Sequence, residues 1–276
     1  MTEQHETARR RYLMCPPTFF TVSYEINPWM DRRRPVDTAL AVAQWERLRD
    51  LYRDLGHTVE TIDPVPGLPD MVYAANGATV QDGVACSSVF TYPERAAEAP
   101  AYLKWLADHG YAPHAATATN EGEGDILRAG DVLLAGHGFR TSLAAHDEVA
   151  RLWGRRVVSL RLVDPRFYHL DTALTVLRGS DGRHPADVAY YPPAFDDASR
   201  ETLEHLFPEA LLAQDADAEV LGLNAVSDDR HVVHAPAATH LAGALRERGY
   251  EPVAVDTSEL LRGGGGAKCC TLELRA

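Results

Sequence analysis

The chain has 276 residues, 45% hydrophobic and 24% charged, enough to bury a substantial core, and it reads as a single domain over residues 1–276. A formal net charge of −13 argues against a nucleic-acid partner, which needs a basic face, and suits a small cationic ligand. No apolar run approaches the roughly 20 residues that cross a bilayer, and "MTEQHETARRRYLMCPP" lacks a signal-peptide core, so a cytoplasmic location and no membrane partner are expected.

Taken in chain order, "RRRYLMC" reads as a short strand, followed by an irregular aromatic segment with prolines, "PPTFFTVSYEINPWMD". "VDTALAVAQWERLRDLYRDLGH" is a helix capped by Asp37, with Leu40, Leu48, Leu51 and Leu55 on one face and Gly56 at its left-handed end. "HTVETI" follows as a strand. "GATVQDGVACSSV" predicts a hairpin turning at Asp82-Gly83, and "GDILRAGDVLLAG" another turning at Ala129-Gly130. Each precedes a helical pattern, "ERAAEAPAYLKWLADHGY" and "SLAAHDEVARLWG". "DTALTVL", "ADVAYYP", "ASRETLEHLF", the pair "AEVLGLNAVS" and "RHVVHAP", "AATHLAGALRERG" and "EPVAVD" repeat the theme. Recurrent strand-hairpin-helix units without a Gly-x-Gly-x-x-Gly opening predict an α/β fold other than a dinucleotide binder.

Four polar clusters interrupt the apolar pattern: "LPDMVYAAN", "NEGEGD", "FYHLDTA" and "GGGGAKCCT". The four cysteines are too few for a disulfide scaffold and read as reduced thiols. Cys15 and Cys86 read as inert small hydrophobes, whereas a thiol beside the glycine run and Lys268 could be exposed with its thiolate favoured. On an extended segment His169 and Asp171 share a face, as do Glu121, Glu123 and Asp125. Three carboxylates on one face repel unless a cation joins them. The histidines lack zinc-protease spacing, and no metal or cofactor is expected.

These clusters, in this order, resemble those of the guanidine-modifying pentein superfamily: arginine deiminases, dimethylarginine dimethylaminohydrolases, amidinotransferases and arginine dihydrolases. "FYHLDTA" resembles its His-x-Asp-Thr motif, "EGEGD" its acidic glycine motif and "GGGGAKCCTLEL" its terminal nucleophile motif. The opening "MCPPTFFTVSYEINPWM" and "PGLPDMVYAANGA" are most similar to the arginine dihydrolase and bacterial dimethylargininase-like branch. The resemblance covers nearly the whole chain and implies a five-bladed α/β propeller of pseudo-fivefold symmetry.

It further implies a cysteine hydrolase that attacks a guanidinium carbon and forms a covalent thioether. Cys269, rather than Cys270, is the implied nucleophile, His169 the proton carrier, and Glu123 its acidic partner in preference to Glu121. Asp171 is implied for the guanidinium, Asp125 for substrate binding, Asp70 for the ammonium, and Arg140, with Arg95 second, for the carboxylate of a guanidino amino acid. Asn76 stands where deiminases and most dimethylarginine hydrolases carry an aspartate, and Ala75 where the dimethylargininase pattern has Glu. Asn76 and Asn27 match the arginine dihydrolase pattern, which implies ornithine, carbon dioxide and two ammonia as products. Dimethylarginine hydrolysis, amidino transfer and a non-catalytic binding protein of the same fold are the alternatives, and a homo-oligomer is left open.

Overall fold

The computed structural model describes residues 7–181 and 184–276. Strand β1 (Arg11–Met14) leads through the irregular aromatic segment to helix α1 (Thr38–Asp54), which returns the chain to β2 (Thr58–Thr61), parallel to β1. Asp37 caps α1 by accepting from the Leu40 N–H, and Gly56 ends it at φ 90°. The buried stripe of α1 is Ala41, Gln44, Trp45, Leu48 and Tyr52; Leu40 lies outside it and is exposed, so the leucine face expected from the sequence is displaced toward the aromatics.

The next two units follow one plan. Strands β3 (Ala78–Gln81) and β4 (Val84–Ser87) form a hairpin, and helix α2 (Glu98–Asp108) brings β5 (Ala112–His114) back parallel to β4. Asp82 and Gly83, at φ 50° and 76°, supply the two positive dihedrals of a tight hairpin turn. Helix α2 starts only at Glu98, because Pro100 lacks an N–H and is tolerated only in a first turn. Hairpin β6 (Ile126–Ala129) and β7 (Val132–His137), helix α3 (Leu143–Trp153) and β8 (Arg156–Arg161) repeat the arrangement. Ala129 pairs with Val132, so this hairpin turns at Gly130-Asp131, one residue later than the sequence suggested.

In the fourth unit a single helical turn, α4 (Leu170–Ala173), precedes hairpin β9 (Leu174–Arg178) and β10 (Asp187–Tyr190), helix α5 (Asp197–Leu206) and β11 (Leu211–Leu212). The fifth has α6 (Asp215–Ala218), hairpin β12 (Val226–Ser227) and β13 (His231–His234), helix α7 (Thr239–Glu247) and β14 (Glu251–Ala254). Strand β15 (Leu272–Glu273) then pairs antiparallel with β1, Leu272 opposite Leu13. Among the described residues the result is a mixed α/β fold of five three-stranded sheets. The first is completed only when the tail of the chain meets its beginning.

The cores lie where the helices cover these sheets; one gathers Tyr12, Trp45, Leu48, Tyr52 and Tyr73 around the glycine-rich tail, with Cys269 and Cys270 in the same cluster. Among the described residues no helix is long and apolar enough to cross a membrane.

Leu272 is fully buried and sits on the strand that closes the first sheet. Leu272→Ala is expected to lower unfolding free energy by about 2–5 kcal/mol, the usual cost of a core cavity. Denaturant titration at unchanged m-value reads this directly, and an unchanged midpoint would contradict the packing described.

Candidate active site

The chemistry-bearing residues occupy equivalent places. Asp70 and Asn76 lie in two short 3-10 turns before β3, Glu121 to Asp125 before β6, His169 and Asp171 before β9, Asn224 before β12 and Cys269 before β15. Five pre-strand turns therefore supply one set of buried polar groups, none more than 4% exposed. In the last of them Gly264 takes φ 94°, and a Cβ on Gly265 would come within 2.8 Å of Cys269 Cβ and 2.5 Å of the Tyr73 ring. The glycine run is thus a packed, buried loop rather than a flexible one.

Asn224, which the sequence reading did not single out, organises the thiol. Its Oδ1 accepts from the N–H groups of Gly266 (2.9 Å) and Cys269 (3.1 Å). Its Nδ2 donates to the Asp171 carbonyl (3.1 Å) and to Cys269 Sγ (3.1 Å). The thiol in turn donates to Asp171 Oδ2 at 3.3 Å. A sequence signal was available: "GLNAVS" precedes a strand just as "YAANGATV" does. The Cys269 carbonyl accepts from Ala75 N–H at 3.0 Å, tying the thiol's turn to that of Asn76.

His169 and Asp171 converge for a different reason from the extended alternation expected. His169 has extended dihedrals and begins a helical turn that contains Asp171. The "EGEGD" stretch is likewise a 3-10 turn, with Gly122 at φ 58°, so its acids diverge. Glu121, not Glu123, meets the imidazole, with Oε2 2.7 Å from His169 Nε2 and 2.9 Å from Arg140 Nη1. Glu123 faces away, onto Lys268 Nζ (2.8 Å), the Glu273 N–H (3.1 Å) and the Arg275 guanidinium. Asp125 is consumed by structure, accepting from Leu170 N–H (3.0 Å) and Thr141 Oγ1 (2.7 Å).

Arg95 is also committed. Both its Nε and Nη2 grip Glu98, and Nη2 further donates to the Asp70 carbonyl. Its Nη1 donates to Asn76 Oδ1 at 2.9 Å, so it is not free to fork onto a substrate carboxylate. Arg140 lies between the Tyr92 and Tyr168 rings and spends Nη2 on the Ile26 carbonyl. Asn27 uses both polar atoms locally, donating to the Gly263 carbonyl and accepting from Trp29 N–H. Tyr24 donates to Asp70 Oδ2 at 2.9 Å, so the aromatic segment lies across the polar cluster.

Among the described residues four buried atoms of this cluster have no hydrogen-bond partner: Asp70 Oδ1, Asn76 Nδ2, His169 Nδ1 and Asp171 Oδ1. Asn76 Nδ2 and His169 Nδ1 both flank Gly124, where a Cβ would lie 3.1 Å from the imidazole nitrogen. Buried polar atoms are normally satisfied, and each orphan costs about 1–3 kcal/mol, so the set is built for a ligand that supplies donors to the acids and an acceptor to the amide.

No family model matches the sequence. Over 265 residues it is 54% identical to the N(G),N(G)-dimethylarginine dimethylaminohydrolase of Mycobacterium tuberculosis, covering 96% of this chain and 86% of that protein. It is 35% identical over 271 residues to the bifunctional arginine dihydrolase/ornithine cyclodeaminase ArgZ of Synechocystis, covering 96% of this chain and 37% of that longer protein. The solved N-terminal domain of ArgZ, a Cys-to-Ser variant bound to substrate, superposes with a TM-score of 0.91 at 34% identity, over 96% of this chain and 98% of that one. The chain belongs to the guanidine-modifying pentein superfamily, among its hydrolases.

Electrostatics in this pentein site divide its acids. Burial would raise Glu121, but the His169 hydrogen bond and the Arg140 charge hold it down at about 2. Burial lifts Asp171 to about 7 despite Lys268 and the donors Cys269 and Asn224, and lifts Asp125 to about 6. Asp70 is likewise raised by burial, against Arg95 and Tyr24. Burial, then the Asp171 charge, push the Cys269 thiol well above its ordinary range, so the exposed, thiolate-favouring cysteine expected beside Lys268 is instead buried and protonated. Cys15 and Cys86, pushed to about 12 by burial, are the inert thiols expected. Among the described residues no group of three or more His, Cys, Asp and Glu side chains could hold a metal ion.

The resting thiol is therefore expected to contribute no ultraviolet thiolate absorbance at neutral pH, and the difference between wild type and Cys269→Ser should emerge only on the alkaline side of the ordinary cysteine range. A thiolate signal at neutral pH in the ligand-free enzyme would contradict this.

Proposed function

We propose that the chain is a single propeller domain, its five sheets the blades, that hydrolyses L-arginine twice at the axis to ornithine, carbon dioxide and two ammonia. The observation that carries this reading is the orientation of Asn76. Arg95 Nη1 can only donate, so the amide oxygen must face it and the NH2 must face the unpartnered side. A free NH2 offers nothing to a guanidinium, whose groups are all donors, but it suits the oxygen of the ureido group left after a first hydrolysis. That contact would retain the neutral intermediate for a second attack.

The remaining orphans fit the same substrate. Asp171 Oδ1 accepts from the guanidinium and Asp70 Oδ1 from the α-ammonium, while Arg140 turns Nη2 from a backbone carbonyl to the carboxylate. The arriving cation offsets the charge of Asp171 and the developing thiolate. Cys269 Sγ attacks the guanidinium carbon as its proton passes to Asp171 Oδ2. In its doubly protonated form His169 keeps one proton on Nε2 against Glu121 and gives the other, from Nδ1, to the departing ammonia; Nδ1 then regains a proton from the incoming water. Water displaces the sulfur, giving the ureido group. A second attack on that carbon expels the second ammonia, and hydrolysis releases a carbamate that loses carbon dioxide.

The second reading is hydrolysis of dimethylarginine to citrulline and dimethylamine. It is favoured by the 54% identity to a protein of that name. Quantifying products from arginine and from dimethylarginine separates the two. Ornithine with two ammonia per arginine is expected; citrulline as the sole end product would overturn the two-step reading, and turnover of methylated arginine alone would establish the second.

Two substitutions extend the test. Asn76→Asp exchanges the donor for a cation-holding acid, and citrulline is expected to accumulate from arginine. Glu121→Gln is expected to lower kcat about 10²–10⁴-fold, the usual weight of a general acid–base assembly. Full activity of Glu121→Gln would show that the imidazole needs no carboxylate.

A further inference from the structure

In the steps proposed above the sulfur takes on negative charge at two moments that differ in one respect. At attack a guanidinium stands beside it and balances that charge. When the thioether is hydrolysed its electron pair returns to sulfur, and the carbon now carries a ureido or carbamic group with no positive charge, so no guanidinium faces the departing thiolate. The site itself must then receive the charge, in an interior where a lone anion is costly.

Asn224 is placed to receive it. The N–H groups of Gly266 and Cys269 both donate to its Oδ1, and the Asp171 carbonyl, which can only accept, lies on the opposite side, so three bonds fix which end of the amide is the NH2. That NH2 meets Cys269 Sγ at 3.1 Å, while the thiol's own proton is directed to Asp171 Oδ2. Among the described residues Asn224 Nδ2 is the one hydrogen-bond donor to this sulfur. Both residues are about 1% exposed, so water does not compete for the contact. We propose that Asn224 is a catalytic residue, the fixed donor that stabilises the Cys269 thiolate each time the thioether breaks. The inference rests on the reading of Cys269 as the nucleophile.

The step balances. The water oxygen bonds to the carbon as one of its protons passes to His169 Nδ1, the carbon–sulfur bond breaks with its electron pair moving to sulfur, and the proton held on Asp171 Oδ2 returns there to restore the resting thiol. A hydrogen bond to a charged acceptor is stronger than one to a neutral thiol, so Nδ2 favours the departing sulfur over the resting one. Attack depends on it less, because the guanidinium then shares the work. Loss of the donor therefore slows decay of the covalent adduct more than its formation.

The test follows the adduct in a single turnover of arginine labelled at the guanidinium carbon, by rapid acid quench and mass spectrometry of the C-terminal peptide; dimethylarginine labelled at the same carbon serves under the second reading. Asn224→Asp keeps the oxygen that holds the glycine-rich turn and removes the donor, whereas Asn224→Ala removes both. In both variants adduct decay is expected to slow about 10–10²-fold, the weight of a hydrogen bond to a charged group, with formation slowed less. Parental decay in Asn224→Asp, whatever Asn224→Ala does, would reduce Asn224 to a brace for the turn and overturn the inference. Formation slowed as much as decay, or more, would overturn it too, by placing the effect in attack or in general disorder of the site. Asn224→Asp decides alone if Asn224→Ala does not fold. Turnover by Cys269→Ser would instead remove the nucleophile on which the inference rests, an outcome distinct from any result with the Asn224 variants.

Discussion

A thiol and a carboxyl share one proton in the interior of this molecule. Cys269 Sγ and Asp171 Oδ2 lie 3.3 Å apart, each about 1% exposed, with the Asn224 amide as a common neighbour. In water such a pair would ionise independently; here burial raises both groups, so the site resists holding two negative charges. Under the proposed function the group that balances this pair is a planar cation. On that proposal the sulfur is a poor nucleophile until that cation arrives, and the cation is then both the target of the sulfur and the counter-charge that activates it. The acid that orients His169 stays ionised throughout, because Arg140 and the imidazole both bond it.

The fold delivers these groups by repetition. Each sheet is preceded by a turn that must leave its first strand's neighbour and re-enter the next unit, and each such turn places polar atoms at the same relative position. The C-terminal turn joins the set through the pairing of β15 with β1, so closure of the first sheet and placement of Cys269 go together. The segment from Tyr24 to Trp29 then covers the cluster through Asp70, Arg140 and Gly263.

Much of this was legible in the sequence where local chemistry dictates local shape. Asp37 and Gly56 bound α1, Asp82-Gly83 turns the first hairpin, and alternation marked most of the strands. The polar clusters were also visible as interruptions of apolar pattern. What failed was the assumption that those interruptions stay extended. Gly122 at φ 58° breaks the alternation of the acids, so Glu121 reaches His169 while Glu123 turns to Lys268 and Arg275. Helix α4 does the same for His169 and Asp171. Arg95 was legible as a candidate but not its capture by Glu98, an i,i+3 pair that packing had to bury, and Asn224 acquires its importance only through contacts with residues more than forty positions away.

The central claim is that the sulfur of Cys269 bonds covalently to the guanidinium carbon. Its most direct measurement is mass spectrometry of the C-terminal peptide from enzyme quenched in acid while turning over arginine labelled at that carbon. The account expects the labelled carbon on Cys269, and its absence from Cys269→Ser. Label on Cys270 instead, or steady turnover with no adduct on either thiol under conditions that preserve thioethers, would contradict it.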